Sequence, residues 1–509
     1  EHFTLQGLRD FETFCRFYAL FAAEQLILTD RVAHLLSASL NRQRQVGEEL
    51  YEAYSTYRTK LIAHLHHDLG HPLDLAIEMA QRLLDRVIFI AFCEDRELLR
   101  PNTLQRAYDV NGFSAVTNPR WQSFRSLFRF IDQGSEQYEI PPYNGGLFAQ
   151  HPVDDLELDD ERWTPFFRAL GGYNFSDEVN LDVLGHLFEQ SITELEKLRE
   201  TGLLGGDAAK AEQYAQMPQS AKRKQMGIYY TPPELTSRIV EYTVDELIHE
   251  RLADLARRHG TKKKDAALGD APDTLDYWRQ ALDVVRRLKI VDPACGSGAF
   301  LFQAYEVLEH RYAEIIQHLK RLGDAVADTL ADQVPQFILH ENLYGVDLSP
   351  EAVEITQLAL WIRSAAPGQT LATLSDNIVH GNSLIHDPQS HPDGFGWRER
   401  FPEVFDRDEA LRGFDCVIGN PPWERIKLQE REFFSLPAPN IATASNAAQR
   451  RRLVSRLEDD DPQLHARYQQ ALADADALLT YCRRSGEYPL TGRGDINTYA
   501  VFAELASQL

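Results

Sequence analysis

No run of this sequence approaches the roughly 20 continuous apolar residues that span a bilayer. The most apolar short stretch, RVIFIAFC at 86–93, is closed by charges and reads as a buried helix, with no membrane partner implied. The first residues, EHFTLQGLRD, lack both the basic and the apolar segment of a secretory signal. They begin at Glu1 rather than Met, so residues upstream are expected to be missing. Cysteine is scarce: Cys15, Cys93, Cys295, Cys416 and Cys482 are scattered, odd in number and form no CxxC pair. That argues against a disulfide scaffold or a zinc ribbon, assigns no metal, and fits a reducing cytoplasm. Positive charge is short as well, with 53 Lys and Arg against 77 Asp and Glu, a net charge of −24. Affinity for nucleic acid comes largely from cations that neutralise phosphates. A nucleic-acid function therefore needs positive charge gathered on one face, or supplied by a segment or partner outside these residues. No GxxxxGK[ST] string is present, which argues against a nucleoside triphosphatase.

The 509 residues are long enough for two to four domains, and the 43% hydrophobic content is ordinary for buried cores. Residues 1–220 read as a mainly helical domain and linker. Apolar positions recur at helical spacing in 75–99 and 181–200, a turn-rich connection lies at 141–155, and 202–227 is polar and Gly/Ala-rich. From 221 to 509 the texture changes to short apolar runs, each closed by Gly, Asp, Asn or Pro and followed by a helix. The strand candidates are LKIVD (288–292), NLYGVD (342–347), DNIVHG (376–381) and FDCVIGN (414–420). Strands alternating with helices indicate an α/β fold with a parallel, doubly wound sheet, whose ligands bind at the carboxyl ends of the strands. Helical insertions are expected at about 246–286 and 425–492, with charged runs RRHGTKKKD at 257–265 and AQRRRLVSRLEDDDPQ at 448–463. Each run reads equally well as a solvated helix face or as the edge of a DNA-binding cleft.

Three motifs carry chemistry. DPACGSGAF (292–300) follows a strand candidate and opens a helix; Gly296 and Gly298 permit a tight turn with close backbone approach, and Asp292 supplies a carboxylate. A glycine-rich turn alone is common, whereas the whole string is specific. GVDLSPEAVEI (345–355) ends a strand on Asp347, an acid suited to ribose hydroxyls or, read alone, a plain helix cap. IGNPPW (418–423) ends the fourth candidate. Asn420 offers a side-chain carbonyl, Pro421 and Pro422 stiffen the loop and remove donors, and Trp423 offers a flat face for a base. Two acceptors aimed at an exocyclic amine favour its tetrahedral transition state, although Asn-Pro-Pro alone is also a common turn.

RKQMGIYYTPPELTSRIV (223–240), DPACGSGAF, YGVDLSPEAVEI, NIVHGNSLI (377–385) and FDCVIGNPPW, in this order, resemble the γ-class N6-adenine DNA methyltransferases. The resemblance is to the large type IIG restriction–modification, BREX and DISARM phage-defence enzymes within that class. LLDRVIFIAFCEDRELL (83–99), YNGGLF (143–148) and LGHLFEQSI (184–192) are similar to the helical region that precedes the methylase there. The resemblance implies a Rossmann-like sheet binding S-adenosylmethionine and acting on a flipped adenine in double-stranded DNA, with other defence-system subunits as further partners. Gly227, Tyr230, Thr231 and Pro232 match the motif closing over the methionine part of the cofactor. Asp292, Ala294, Gly296 and Gly298 match its loop, and Asp347 the ribose-binding acid. Asn382 stands where the group commonly has Asp, which keeps an acceptor and removes the charge. Asn420, Pro421, Pro422 and Trp423 match the catalytic loop that holds and stacks the target base.

Alternatives remain at this stage. Protein glutamine N5-methyltransferases use a similar loop to hold an amide, RNA adenine methylation is a lesser possibility, and a silent methylase fold serving as a DNA-binding or specificity subunit is a third reading. A cytosine-C5 mechanism lacks its Pro-Cys nucleophile. No carboxylate–lysine nuclease cluster is visible in 1–220; ITELEKL (192–198) has the wrong spacing. GRGDINTYAVFAELASQL (492–509) reads as a turn or strand entering a helix, so the chain is expected to stop inside the catalytic domain, without a target-recognition domain.

Overall fold

The computed structural model describes residues 7–22, 31–110, 117–143, 147–175, 231, 233–261, 271–366, 373–387, 394–407, 412–423, 425–434 and 438–509. The expected helix at 181–200, the segment 202–227, ITELEKL, LGHLFEQSI, the NGG of YNGGLF and the end of the first basic run lie outside these residues. The described part is mostly helical with one small parallel sheet.

The amino-terminal helices are α1 (Phe11–Phe21), α2 (Arg31–Ala63), α3 (Leu73–Asp95), α4 (Pro119–Gln133) and α5 (Asp160–Leu170). α3 carries the RVIFIAFC run and is buried at every residue from Leu83 to Cys93. Protein surrounds it on all sides, and no helix among the described residues is long and apolar enough to cross a membrane. Arg86 sits inside this apolar run with its side chain wholly enclosed. It donates from Nε to the Leu147 carbonyl at 2.9 Å, from Nη2 to the Ala149 carbonyl at 2.9 Å, and from Nη1 to Asp154 at 2.5 Å. Satisfying the fork of donors in this way offsets much of the cost of burying a guanidinium.

The second half is built on α6 (Pro233–Val240), α7 (Glu246–Arg258), α8 (Leu275–Arg287), β1 (Ile290–Asp292), α9 (Ala299–Arg321), β2 (Leu343–Asp347), α10 (Pro350–Ser364), β3 (Ile378–His380) and β4 (Cys416–Val417). All four strands pair in parallel, in the order β3-β2-β1-β4. Asp292 is in register with Gly345, and Asp347 with His380, so the motif-bearing ends share one edge of the sheet. Strand side chains alternate between faces. Ile290, Leu343 and Ile378 enter the core shared with α9 and α10, while Val291, Tyr344, Val346 and Val379 enter a second core with Phe395, Trp397 and Phe401. Within the stretch expected as an insertion at 246–286, the described residues form α7 and α8, and α8 packs on α9 alongside the sheet.

α10 starts on a capped turn: Ser349 Oγ accepts from the Ala352 N–H at 3.3 Å, and Pro350 occupies the first helical position. Its outer side packs against α3, where Arg82 meets Glu354 at 3.2 Å. The helical region and the sheet therefore share α10. Beyond β4 lie α11 (Ala447–Asp460), α12 (Pro462–Arg484) and α13 (Thr498–Ala506). α13 joins the second core through Val501, Phe502 and Leu505. The stretch 427–472 has a small core of its own around Phe434, Ile441, Leu457, Leu464 and Tyr468.

Replacing Arg86 by Met keeps the bulk and removes the donors. Arg86→Met is expected to destabilise the fold by about 3–5 kcal/mol, because the carbonyls of Leu147 and Ala149 lose their partner within the enclosure. Equilibrium urea unfolding of the two proteins measures this difference.

Candidate functional site

The site forms where the carboxyl ends of β1, β2 and β4 meet. β1 ends on Asp292, which is 1% exposed. Its Oδ1 accepts from the Ala294 N–H at 3.0 Å, which turns the chain sharply into the Gly loop. The loop ends at Gly298, whose φ of +84° is open to glycine and rarely to other residues. A Cβ there would also come within 2.8 Å of Thr356 Cγ2 on α10. Thr356 holds the loop from the same side, donating from Oγ1 to the Gly296 carbonyl at 2.8 Å.

Asp347, at the end of β2, closes the other side of the loop. One carboxylate oxygen accepts from the Gly296 N–H at 2.8 Å and the other from the Ser349 N–H at 2.9 Å. Asn382 follows β3, and its Oδ1 accepts from the Leu384 N–H at 3.1 Å, an Asx turn that spends part of the acceptor locally. The next residue, Ser383, donates to the Pro293 carbonyl at 2.6 Å and ties this turn to the Gly loop.

β4 runs into Ile418-Gly419-Asn420. The Ile418 N–H donates to the Val291 carbonyl at 2.9 Å, so the loop leaves the sheet beside Asp292. Gly419 has φ +147°, and a Cβ on it would lie 2.5 Å from Asp292 Oδ1. Backbone and carboxylate touch there because Gly419 has no side chain. Asn420 Nδ2 donates to Thr231 Oγ1 at 3.1 Å, and its Oδ1 accepts from the Trp423 indole N–H at 3.0 Å. An indole N–H is only a donor, so this contact fixes which end of the amide is the oxygen. The Pro422 carbonyl accepts from Thr498 Oγ1 at 2.5 Å. Trp423 itself is 64% exposed, with its ring centroid 5.6 Å from that of Tyr499 and the planes 35° apart.

Electrostatics single out Asp292. Burial pushes its carboxyl up to about 8, the Ala294 N–H pulls it down, and the nearby Asp347 charge pushes it further up. Burial also raises the Asp347 carboxyl, opposed by the N–H groups of Ser349 and Gly296. Two carboxyls held upward at adjacent strand ends favour a cationic or hydroxyl-bearing ligand, and such perturbation is characteristic of functional sites.

Of the residues singled out from sequence, Asp292, Ala294, Gly296, Gly298, Asp347, Asn382, Asn420, Pro421, Pro422 and Trp423 lie at or just beyond the carboxyl ends of these strands. Thr231 reaches Asn420 rather than the Gly loop. Gly227, Tyr230 and Pro232 lie outside the described residues. Sequence reasoning passed over Gly419, Thr356, Ser383 and Tyr499. A glycine at a strand end hints at close approach, which flags Gly419; the other three carry no local signal.

Residues 341–450 match the family described as Eco57I restriction-modification methylase. A putative type II restriction enzyme and methyltransferase of Methanocaldococcus jannaschii is 28% identical over 355 residues, which is 60% of this chain and 27% of that protein. The adenine-specific methyltransferase BrxX of Escherichia coli is 36% identical over 73 residues, 14% of this chain and 5% of that one. A solved type IIL restriction-modification enzyme, MmeI, in complex with DNA aligns at a TM-score of 0.47 and 18% identity, covering 80% of this chain and 46% of its own. The chain spans about a third or less of the length of the curated relatives it matches.

A carboxyl with a raised folded value contributes stability that is complete below its unfolded value near 3.8 and is lost as pH rises through about 8. Between pH 5.5 and 8 the ligand-free protein should therefore lose up to about 1.4 kcal/mol per pH unit through Asp292. Asp292→Asn removes that component, so urea midpoints across this range should fall less steeply in the variant. Parallel pH slopes would show that Asp292 is not the responsible group.

Proposed function

We propose that this chain, which contains an Eco57I-type restriction–modification methylase region, is the catalytic core of a DNA methyltransferase that uses S-adenosylmethionine. We assign transfer to the N6 of an adenine flipped out of double-stranded DNA, within a bacterial restriction–modification or phage-defence system of the cytoplasm. The observation that carries the reading is the contact of Gly419 with Asp292, which sets the Asn420 loop directly against the Gly loop. The strand order β3-β2-β1-β4, with helices on the sheet, supports a Rossmann-like methyltransferase fold.

The residues present fit the cofactor. Asp292 offers a buried carboxylate to an ammonium, and the glycines of the Gly loop admit a ligand close to the backbone. Asp347 retains lone pairs for ribose hydroxyls beyond the two N–H groups it already accepts. S-Adenosylmethionine supplies a methyl group on a sulfonium, an electrophile that needs no covalent enzyme intermediate. Asn420 Oδ1 accepts one hydrogen of the target amine once the Trp423 indole leaves it. By the resemblance, the Pro421 carbonyl is the second acceptor; the Pro422 carbonyl accepts from Thr498 Oγ1 and anchors the loop. Held between two acceptors, the amine nitrogen is drawn towards the tetrahedral geometry in which its lone pair is available. Trp423, released from Asn420, presents its face to the base, and Tyr499 bounds the same opening.

Labelled S-adenosylmethionine incubated with the protein and duplex DNA should yield N6-methyladenine on nucleoside analysis. N4-methylcytosine, or label in protein such as a methylated glutamine, would contradict the assignment. Asn420→Ala should lower transfer by at least about 100-fold while sparing cofactor binding, and Asp347→Ala should mainly weaken cofactor binding in calorimetry. Near-normal turnover in Asn420→Ala would remove Asn420 from the reaction.

A further inference from the structure

We infer that the outer face of α11 is a docking surface for the phosphate backbone of duplex DNA flanking the target base. The inference rests on the DNA reading above and extends it to a part of the chain that the reaction itself does not use. α11 divides cleanly by helical spacing. Leu453, Val454 and Leu457 turn inward to the small core of the 427–472 stretch, and the mostly enclosed Arg450 meets Glu430 at 3.5 Å on the same side. Arg451, Arg452, Ser455 and Arg456 turn outward and are exposed.

The three outer arginines stand beyond the first turn of α11. Arg452 and Arg456 stand four residues apart, so like charges repel across one turn. Among the described residues, none of the three lies within ion-pair distance of a carboxylate, unlike the inward Arg450. Glu458, Asp459 and Asp460 end the helix and are exposed, and the next residue, Asp461, caps the Leu464 N–H at 3.0 Å at the start of α12. The basic patch runs along the outer face of α11 from Arg451 to Arg456, up to the acids of its last turn. Exposed positive charge repeated within a turn and without a carboxylate partner, in a chain of net charge −24, is charge directed at an external anion.

The position of this patch is tied to the reacting loop from both sides. Three residues after Trp423, the Ile426 N–H donates to the Ile496 carbonyl at 3.0 Å, anchoring the entry to the α11 module. On the far side, α12 is 23 residues long, about 34 Å. It begins in the module core with Leu464 and ends in the second sheet core with Cys482, and its Tyr481 hydroxyl accepts from the His386 N–H at 2.9 Å. A duplex gripped by the outer face of α11 is therefore held at a set distance from Asn420.

The test is the salt dependence of duplex binding by the protein carrying Arg451→Gln, Arg452→Gln and Arg456→Gln together, read by fluorescence anisotropy with a labelled 30-base-pair duplex. The slope of log K against log salt should fall in magnitude by about 2 to 3, and affinity at 0.15 M salt by about 10- to 100-fold. Cofactor binding and melting temperature should stay as in the parent, and a triple Lys variant should keep the parental slope. Unchanged slope and affinity in the Gln variant, beside a parent that methylates adenine, would overturn the surface and leave the enzyme reading intact. A parent that transfers methyl to no DNA overturns that reading whatever the slope. Equal arginine dependence with single-stranded RNA bound more tightly than duplex overturns the choice of partner.

Discussion

The contact between the Asp292 carboxylate and the backbone of Gly419 is the constraint on which the site depends. β1 and β4 are neighbours in a parallel sheet, so the loops leaving their carboxyl ends compete for the same space. A side chain at 419 would occupy the volume that the carboxylate fills. With glycine there, the acid at the root of the Gly loop and the amide of Asn420 come from adjacent strands into one small region. The cost is a carboxyl excluded from water, which the Ala294 N–H only partly offsets, and its proton affinity rises in consequence. A cationic ligand would relieve what the protein itself leaves uncompensated.

The Gly loop owes its shape to groups from other elements. Asp347 from β2 and Thr356 from α10 bind opposite ends of the same residue, Gly296, and Ser383 ties in the turn after β3. α10 is also the helix against which α3 packs, through Arg82 and Glu354. Burial lifts the Glu354 carboxyl to about 7, opposed by Arg82. The amino-terminal helices therefore bear on the loop through one rigid element whose opposite faces serve the two regions.

On the substrate side the arrangement is more open. The Asn420 carbonyl is satisfied by an exposed indole, and a neutral hydrogen bond of this kind is worth about 1 kcal/mol. That is small enough for an incoming base to displace it, and large enough to hold the amide in one orientation meanwhile. The overall acidity, which would oppose DNA binding if it were uniform, is not uniform, since α11 turns its arginines outward. Local arrangement of charge outweighs the net value within a Debye length of about 8–10 Å.

Much of this was legible in the residues themselves. Each of the four strand candidates contains an observed strand, because short apolar runs closed by Gly, Asp, Asn or Pro admit few other structures. RVIFIAFC is a buried helix for the same kind of reason. The residues expected to form a site fall at strand ends, where a parallel sheet exposes its ligand-binding edge. What sequence reasoning did not reach depends on distances between segments far apart in the chain. Thr231 meets Asn420 across 189 residues, Gly296 meets Asp347 across 51, and Thr356 meets Gly296 across 60. No local pattern encodes such pairs, since threonine and serine look alike wherever they stand. Sequence alone determined which residues carry reactive groups and on which element each begins, because periodicity and turn chemistry act over a few neighbours. Tertiary structure decided which of those groups touch, because register and helix packing set separations that no short stretch of chain contains.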